Sequence, residues 1–526
     1  MKYSVGSILR IVLHSIMLST VACFFLNSCS YQSTPLFPCP NIFLVECEEN
    51  APQEEFSTEE YDRIYENPFL ETSLNPLSTF SIDVDTASYA NTRRFINDNQ
   101  LPPKDAVRIE EFINYFTYEY PTPTGEVPLS ISAELEQCPW NIEHELLLIG
   151  LQGKSIELGE LPPNNLVFLL DVSGSMDNPN KLPLLQSAMR LLVEQLKPDD
   201  RVSIVVYAGA AGTILEPTSG ADKDKIIKAI NSLEAEGSTA GGEGIKLAYR
   251  LAKENFILEG NNRVILATDG DFNVGVTSDA ELVRLIEDKR QDGIFLTVLG
   301  FGTGNYKDSK MEQLADKGNG NYAYIDSILE AKKALVTEFG GTLITIAKDV
   351  KIQIEFNPAE VNAYRLIGYE NRLLRNEDFK DDKKDAGELG AGHSVTALYE
   401  IIPAGSTEQT GDVDTLKYQK TELIPSRDFM TLRLRYKKPE SDTSELIEIS
   451  LGKDEIQPDQ ASDNHRFASS VAEFGLLLRD SEYKGTSSYD SVLSRARAAK
   501  GEDTHGYRAE FIQLVEKVEL ISPSSQ

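Results

Sequence analysis

Cysteine and histidine are scarce in this chain of 526 residues, which contains five of each. Cys23 and Cys29 belong to the N-terminal region, which leaves Cys39, Cys47 and Cys138 for the rest of the chain. An odd number leaves one cysteine unpaired or paired in trans, and Cys39 and Cys47 could form a bridge in an oxidising compartment. The histidines do not cluster, and no Cys–His spacing typical of a metal site occurs.

Positive charge is also in short supply. The chain has 51 Lys and Arg against 83 Asp and Glu, which gives a formal net charge of −32 and a pI near 4.6. Binding to a nucleic-acid backbone needs clustered Lys and Arg, so this balance argues against nucleic acid as a partner. It argues equally against docking onto anionic lipid by charge.

Two common catalytic motifs are missing from the sequence. No Gly-x-Ser-x-Gly segment occurs, so nothing indicates the nucleophile turn of an α/β-hydrolase. The glycine-rich run Gly241–Gly244 is not followed by Lys and then Ser or Thr, so it is not a phosphate loop. Its glycines are better explained by a close approach of the backbone to a neighbouring loop.

The N-terminal apolar run is too short for a typical membrane span. It extends over Ile11–Leu26, whereas a spanning helix needs about 20 apolar residues. Lys2 and Arg10 precede it, and a basic segment followed by a short apolar run is typical of a secretory signal. We therefore expect residues 1–28 to be a signal peptide.

The end of this run resembles a bacterial lipoprotein box. The segment Leu26–Cys29 has a cysteine at the position that becomes the lipidated first mature residue. Thr20–Cys23 is an alternative box, and a secreted protein with an unmodified Cys29 is another. The resemblance implies a stable lipid anchor at Cys29, since several acyl chains hold a protein on a membrane. Ser30 after the cysteine favours the outer membrane of a bacterial cell envelope.

Oxygen-bearing side chains directly follow two apolar runs further along the chain. Leu166–Leu170 leads into Asp-Val-Ser-Gly-Ser, and Val264–Thr268 leads into a second aspartate. Parallel strands would bring such residues to one edge of a sheet. A threonine in Gly237–Gly242 completes the set. The candidate metal ligands are Asp171, Ser173, Ser175, Thr239 and Asp269. Hydroxyl and carboxylate oxygens suit Mg²⁺, Mn²⁺ or Ca²⁺ rather than Zn²⁺ or Cu²⁺.

This pattern resembles the metal-ion-dependent adhesion site of von Willebrand factor type A domains, which has Asp-x-Ser-x-Ser, a distant Thr and a distant Asp. The resemblance implies that Ser173 and Ser175 bind the ion directly and that Thr239 binds directly or through water. It also implies that Asp171 and Asp269 act largely through water. An ion with neutral inner ligands still accepts an anion, so we expect a partner protein to offer a Glu or Asp carboxylate. The alternative is that these are turn residues and a helix cap.

Residues 161–345 alternate apolar strands with amphipathic helices. This alternation predicts an α/β fold with a doubly wound, mostly parallel sheet. Ligands of such sheets bind beyond the carboxyl ends of the strands, where the motif residues fall. The predicted fold and the motif therefore indicate the same site, beyond the carboxyl ends of the strands.

The flanking regions have different patterns. Residues 29–75 are rich in Pro, Ser, Asn and acid, which is typical of a tether. Residues 76–160 predict a small α+β accessory domain. Residues 346–526 predict a β-sandwich followed by helices. Both flanks resemble the domains that accompany the type A domain in a bacterial envelope lipoprotein family.

Two further groups of residues have alternative interpretations. Asp83, Asp85 and Ser88 could form a second cation loop, but a strand end and a helix cap explain them better. Asp271 could support the metal site or simply occupy a turn. The last predicted helix of the type A region, residues 328–339, could move when the site is occupied.

The sequence thus predicts a metal-dependent binding module, and not an enzyme, displayed on the envelope. A metal-assisted hydrolase is one alternative, although it would need a base near the ion. A structural envelope protein with a purely stabilising metal is the other.

Overall fold

The computed structural model describes most of the chain from residue 59 onward, and all of the described residues belong to one unit, Glu55–Gln526. Residues 59–75 of the predicted tether are among them, and they include a short strand, Leu70–Glu71, that pairs in a sheet. Cys29, Cys39 and Cys47 lie outside the described residues, and Cys138 is a free, buried cysteine. The described residues are 59–156, 159, 161–237, 241–270, 272, 278–338, 344–408 and 424–522.

The elements below are numbered in chain order. The strands are β1 Leu70–Glu71, β2 Leu77–Ser81, β3 Leu129–Gln137, β4 Glu145–Gly153, β5 Asn164–Asp171, β6 Arg201–Tyr207, β7 Ala211–Ser219, β8 Asn261–Thr268, β9 Ile294–Phe301, β10 Tyr322–Ile325, β11 Thr345–Phe356, β12 Val361–Ile367, β13 Gly387–Gly390, β14 Ser394–Pro403, β15 Asp428–Lys437 and β16 Glu445–Gly452. The helices are α1 Ala87–Asn97, α2 Ile109–Asn114, α3 Leu182–Gln195, α4 Lys223–Asn231, α5 Gly241–Glu254, α6 Asp279–Gln291, α7 Asp308–Lys317, α8 Ile328–Lys332, α9 Lys453–Ile456, α10 Asp463–Arg479, α11 Tyr489–Ala498 and α12 Tyr507–Ile521.

The central sheet has the strand order β10-β9-β8-β5-β6-β7. All neighbouring pairs are parallel except β6 and β7, which run antiparallel at one edge. Strands β5 and β8 are buried along their whole length, as expected for a sheet covered by helices on both faces. The predicted α/β class with a mostly parallel sheet is confirmed.

Strand order reverses direction at β5, and this positions the candidate site. From β5 the chain continues through β6 on one side, whereas β8 lies on the other side. A crevice forms beyond the carboxyl ends of the strands at such a switch point. Asp171 ends β5, Tyr207 ends β6 and Asp269 directly follows β8.

Strands from both flanking regions share two antiparallel sheets. One sheet has the order β1-β12-β14-β4-β3, and in the other β2 pairs with β11 beside β13, β15 and β16. The two sheets face each other, since the rings of Phe356 and Tyr399 lie 5.4 Å apart between them. Sequence reasoning treated these regions separately, because strand pairing across hundreds of residues leaves no local pattern. The predicted domain limits stay a prediction.

The C-terminal helices pack on the N-terminal helices. The Phe467 ring of α10 lies 4.9 Å from the Phe116 ring after α2. Gly475 of α10 allows close contact, because a Cβ there would lie 2.8 Å from Ile109 of α2. Among the described residues, no helix combines the length and the apolar character needed to cross a bilayer.

The last helix of the central region is shorter than the predicted 328–339. Helix α8 ends at Lys332, and a π-helical turn follows over Lys333–Thr337. Lys333 is buried in this turn and pairs with Glu338 at 2.7 Å. Residue 339 lies outside the described residues.

Candidate metal centre

The turn after β5 is organised by Asp171. Its Oδ1 accepts hydrogen bonds from the backbone N of Ser173 at 2.9 Å and from the Ser173 hydroxyl at 2.7 Å. This local bonding holds the turn at the strand end, as aspartate commonly does. The Ser173 side chain is thereby fixed towards the crevice.

The two serine hydroxyls of the motif lie side by side. Ser173 Oγ and Ser175 Oγ are 3.0 Å apart. Ser173 is buried, whereas Ser175 is exposed at the surface. One hydroxyl of the pair therefore belongs to a buried residue and the other to an exposed one.

The second oxygen of Asp171 is held by hydroxyl groups from neighbouring strands. Tyr207 and Thr268 each donate a hydrogen bond to Asp171 Oδ2 at 3.1 Å. Burial raises the pKa of Asp171 to about 6, and the nearby Asp269 adds to this, although the hydrogen bonds act in the opposite direction. Both Asp171 oxygens thus have donors from the protein, which favours an indirect role near an ion.

Asp269 is fully buried and has a cationic partner. Lys181 Nζ lies 3.0 Å from Asp269 Oδ2, and the Ser175 hydroxyl also hydrogen-bonds to this carboxylate. Burial alone would raise the pKa of Asp269, but Lys181 and the hydrogen bonds lower it below its usual value. The carboxylate is therefore ionised at neutral pH.

Sequence reasoning missed Tyr207, Thr268 and Lys181. Thr268 carried a signal, since it is a polar residue at the end of an apolar strand beside Asp269. Tyr207 is an ordinary strand residue in sequence. Lys181 directly precedes α3, and nothing in the sequence indicates that it lies next to Asp269.

The predicted site residues are brought together as far as they are described. Asp171, Ser173, Ser175 and Asp269 form one hydrogen-bonded group. Thr239, Asp271 and Cys29 lie outside the described residues, so their predicted roles stay predictions. The loop before Thr239 does reach this turn, because Gly174 N donates to Gly237 O at 3.0 Å.

The donor set fits a hard divalent cation. Two oxygens at adjacent corners of an octahedron, each about 2.1 Å from the ion, lie about 3.0 Å apart. The Ser173–Ser175 hydroxyl distance of 3.0 Å matches that edge. Two carboxylates adjoin the pair and supply the negative charge that a divalent cation needs.

The Asp83–Ser88 segment has a structural role instead. Asp83 and Asp85 both bind the guanidinium of Arg372, at 2.9 and 3.3 Å, and Asp85 also accepts the backbone N–H of Tyr322. Ser88 Oγ accepts the backbone N–H of Arg108. Asp83 and Asp85 follow β2 and Ser88 lies in the first turn of α1, but these contacts are with distant residues, and α1 begins after Thr86 without a side-chain cap.

Comparison with known proteins places these observations in a family. The family model "von Willebrand factor type A domain" matches residues 165–337, the model "von Willebrand factor" matches 55–148, and the model "Uncharacterized protein YfbK, C-terminal" matches 341–521. Uncharacterized protein YfbK of Escherichia coli (strain K12) is 44% identical over 480 residues, which are 89% of this chain and 82% of that protein. The chain belongs to the YfbK family. It therefore contains a type A domain, a class that generally mediates protein interactions.

Two solved structures are also similar to this YfbK-family chain, one a von Willebrand factor type A protein and the other a protein with a metal-ion-dependent adhesion site (MIDAS) motif. The von Willebrand factor type A protein from Catenulispora acidiphila is 15% identical, covers 72% of this chain and 88% of its own, and has a TM-score of 0.41. Proximal thread matrix protein 1 from the mussel byssus, with a zinc-occupied MIDAS motif, is 25% identical, covers 33% of this chain and 44% of its own, and has a TM-score of 0.27.

Proposed function

We propose that this protein is a divalent-cation-dependent protein-binding module of the bacterial cell envelope. The observation that carries the proposal is the pair of serine hydroxyls 3.0 Å apart, with Ser175 exposed to solvent. The pair offers two corners of a coordination octahedron and leaves the outward side accessible. A partner carboxylate from Glu or Asp reaches the ion from that side.

The negative charge of the site lies on two buried carboxylates, Asp171 and Asp269, which contact the serine hydroxyls. Asp171 is engaged by Ser173, Tyr207 and Thr268, and Asp269 is engaged by Lys181 and Ser175. Ser173 and Ser175 therefore act as the direct ligands, and Thr239 joins them directly or through water. When bound, the ion supplies a Lewis-acidic acceptor for the incoming carboxylate. A cage made only of carboxylates would repel that group.

Mg²⁺ is the proposed ion, with Mn²⁺ and Ca²⁺ as substitutes, because the donors are hard oxygens. A lipid anchor on Cys29 and display at the outer membrane complete the proposal. These rest on the signal-like segment Ile11–Leu26 and the lipoprotein box that follows it.

Affinity capture from envelope extracts tests the proposal. The full chain serves as bait in Mg²⁺ and in chelator, beside Ser175→Ala and the control Ser187→Ala, a half-buried serine in the middle of α3. We expect one or more envelope proteins to be retained by wild type and Ser187→Ala in Mg²⁺. Chelator or Ser175→Ala should abolish retention while circular dichroism shows an intact fold.

Other outcomes support the alternatives. Retention by Ser175→Ala together with a lower melting temperature would indicate a purely stabilising metal. Hydrolytic turnover that disappears in Asp171→Ala would indicate a metal-assisted hydrolase.

A further inference from the structure

A lysine ammonium lies inside the candidate metal centre. Lys181 Nζ is 3.0 Å from Asp269 Oδ2 and 3.2 Å from Asn305 Oδ1. Its side chain is 6% exposed, so it is held in the protein rather than in solvent. Among the described residues, its side-chain hydrogen bonds go to Asp269 and Asn305 rather than to the two serine hydroxyls.

A glycine in the neighbouring loop leaves room for the Lys181 side chain. Gly302, which follows β9, has φ +76°, and a Cβ there would lie 2.4 Å from Lys181 Cγ and Cε. The lysine stem therefore passes directly over a glycine. Asn305, three residues further along, accepts a hydrogen bond from the ammonium. The loop after β9 thus fixes Lys181 against Asp269.

Because of Lys181, the net charge of the site changes sign when a divalent cation binds. With Asp171 and Asp269 ionised, Lys181 leaves the group with one net negative charge. A divalent cation then turns the group into one with a single net positive charge. Without Lys181 the same ion would leave the group neutral. A charge this close acts through a partly desolvated medium, so it affects ions of either sign strongly.

We propose that Lys181 is a fixed internal cation that weakens metal binding and strengthens the binding of a carboxylate to the metal-loaded site. This inference rests on the proposed function and gives Lys181 the role of a positioning and specificity residue. The ammonium repels the metal and shares Asp269 with it. The same ammonium adds to the positive potential that an acidic group of the partner meets. Selectivity for a carboxylate over a neutral oxygen ligand follows from it.

Neutral replacements of Lys181 test the inference in the full chain. Lys181→Met keeps the stem without the charge, and Lys181→Gln also keeps a hydrogen-bond donor. Mn²⁺ affinity is measured by calorimetry. Acetate binding to the Mn²⁺-loaded protein is measured by the loss of water-proton relaxation as acetate replaces water. We expect Mn²⁺ affinity to rise about tenfold or more and acetate affinity to fall about tenfold or more.

The control is Lys253→Met, which removes one positive charge at the far end of α5. Lys253 is exposed and pairs with Asp292 at 3.0 Å. We expect it to leave both affinities within about twofold of wild type, because exposed charges are screened over about 8 Å. Opposite changes in the two affinities separate a charge effect from structural damage, which would lower both.

Two results would overturn the inference. One is unchanged or weaker Mn²⁺ binding in both neutral variants, and the other is unchanged acetate binding. Failure of the proposed function gives a different result, in which neither wild type nor any variant binds Mn²⁺ and Ser175→Ala changes nothing.

Discussion

In the proposed metal centre, Asp171 is a buried carboxylate that would support the ion without binding it directly. Each of its oxygens accepts hydrogen bonds from the protein, from Ser173 on one side and from Tyr207 and Thr268 on the other. Hydrogen bonds of this kind orient a charged group and fix its distance from a site. In the proposed metal centre, the hydroxyls of Tyr207 and Thr268 would therefore act indirectly, by positioning Asp171.

Tyr207→Phe should weaken metal binding about tenfold or more while the fold stays intact, because outer hydrogen bonds commonly have this effect on metal affinity. Tyr249→Phe is the matched control. Tyr249 is buried in the same domain, and its hydroxyl has no hydrogen-bond partner among the described residues. Calorimetric titration with Mg²⁺ compares the two variants. Equal affinities for both variants would show that Tyr207 does not orient Asp171.

Gly302→Ala should lower the free energy of unfolding, since the new Cβ would collide with the Lys181 stem and the backbone has φ +76°. Gly304→Ala separates the two causes, because Gly304 has φ +93° but no atom within 4 Å of its Cβ position. We expect Gly304→Ala to lose about 1 kcal/mol of unfolding free energy from the backbone conformation alone, and Gly302→Ala to lose about 1–3 kcal/mol more because of crowding. Urea unfolding measures both, and similar losses would mean that Lys181 can move aside.

At the scale of elements, two buried histidines that contact strands have pKa shifts in opposite directions. His144 lies between β3 and β4 and bonds Glu400 of β14 at 2.7 Å and Glu408 at 2.8 Å. Burial lowers the pKa of His144, but these carboxylates outweigh it and raise the pKa. His465 of α10 faces the backbone oxygen of Leu146 at 3.0 Å, and burial lowers its pKa.

His144→Gln should therefore cost more stability at low pH than at high pH. A raised folded-state pKa means that protonated His144 stabilises the fold fully below its unfolded value of about 6.5. This contribution disappears as pH rises through the folded-state pKa. His465→Gln should show the reverse trend, because a lowered pKa penalises folding at low pH. Urea unfolding at pH 5.5 and pH 8.5 measures both, and parallel trends would contradict this assignment.

Elements with continuous apolar runs were predictable, and elements held by distant partners were not. Strands β5 and β8 are short apolar segments that end in motif residues, so both their existence and the site at their ends could be predicted. The pairing of β2 with β11 joins Phe80 to Ile352, and nothing in either segment indicates the other. Lys181 was missed for the same reason, since its importance lies in a distance to Asp269.

On the scale of the whole molecule, Arg372 connects three parts of the chain. It follows β12 and binds Asp83 and Asp85 after β2, as well as Glu312 and Asp316 of α7. Its side chain is 12% exposed, and burial raises the pKa of Asp85 and Glu312. Removing the guanidinium would leave the buried carboxylates of Asp83 and Asp85 without this cation, whereas Glu312 would keep Arg108 at 2.7 Å.

Arg372→Met should lower the free energy of unfolding by about 3–5 kcal/mol, the range for breaking a buried ion pair from one side. Arg433→Met is the comparison, because Arg433 also binds two carboxylates, Glu355 at 2.8 Å and Glu448 at 2.6 Å, but on the surface. We expect that variant to lose less than about 1 kcal/mol. Urea unfolding of the full chain measures both losses. Equal losses would show that the buried contacts of Arg372 contribute no more to stability than the surface contacts of Arg433.

The proposed function depends on a divalent cation that binds at Ser173 and Ser175 and stays open to an outside carboxylate. Anomalous diffraction from crystals of the full chain grown with Mn²⁺ and acetate tests it directly. We expect an anomalous peak about 2.1 Å from both serine hydroxyls, with water or acetate on its outward side. A peak elsewhere, or a chain that leaves no outward position on the ion, would contradict it.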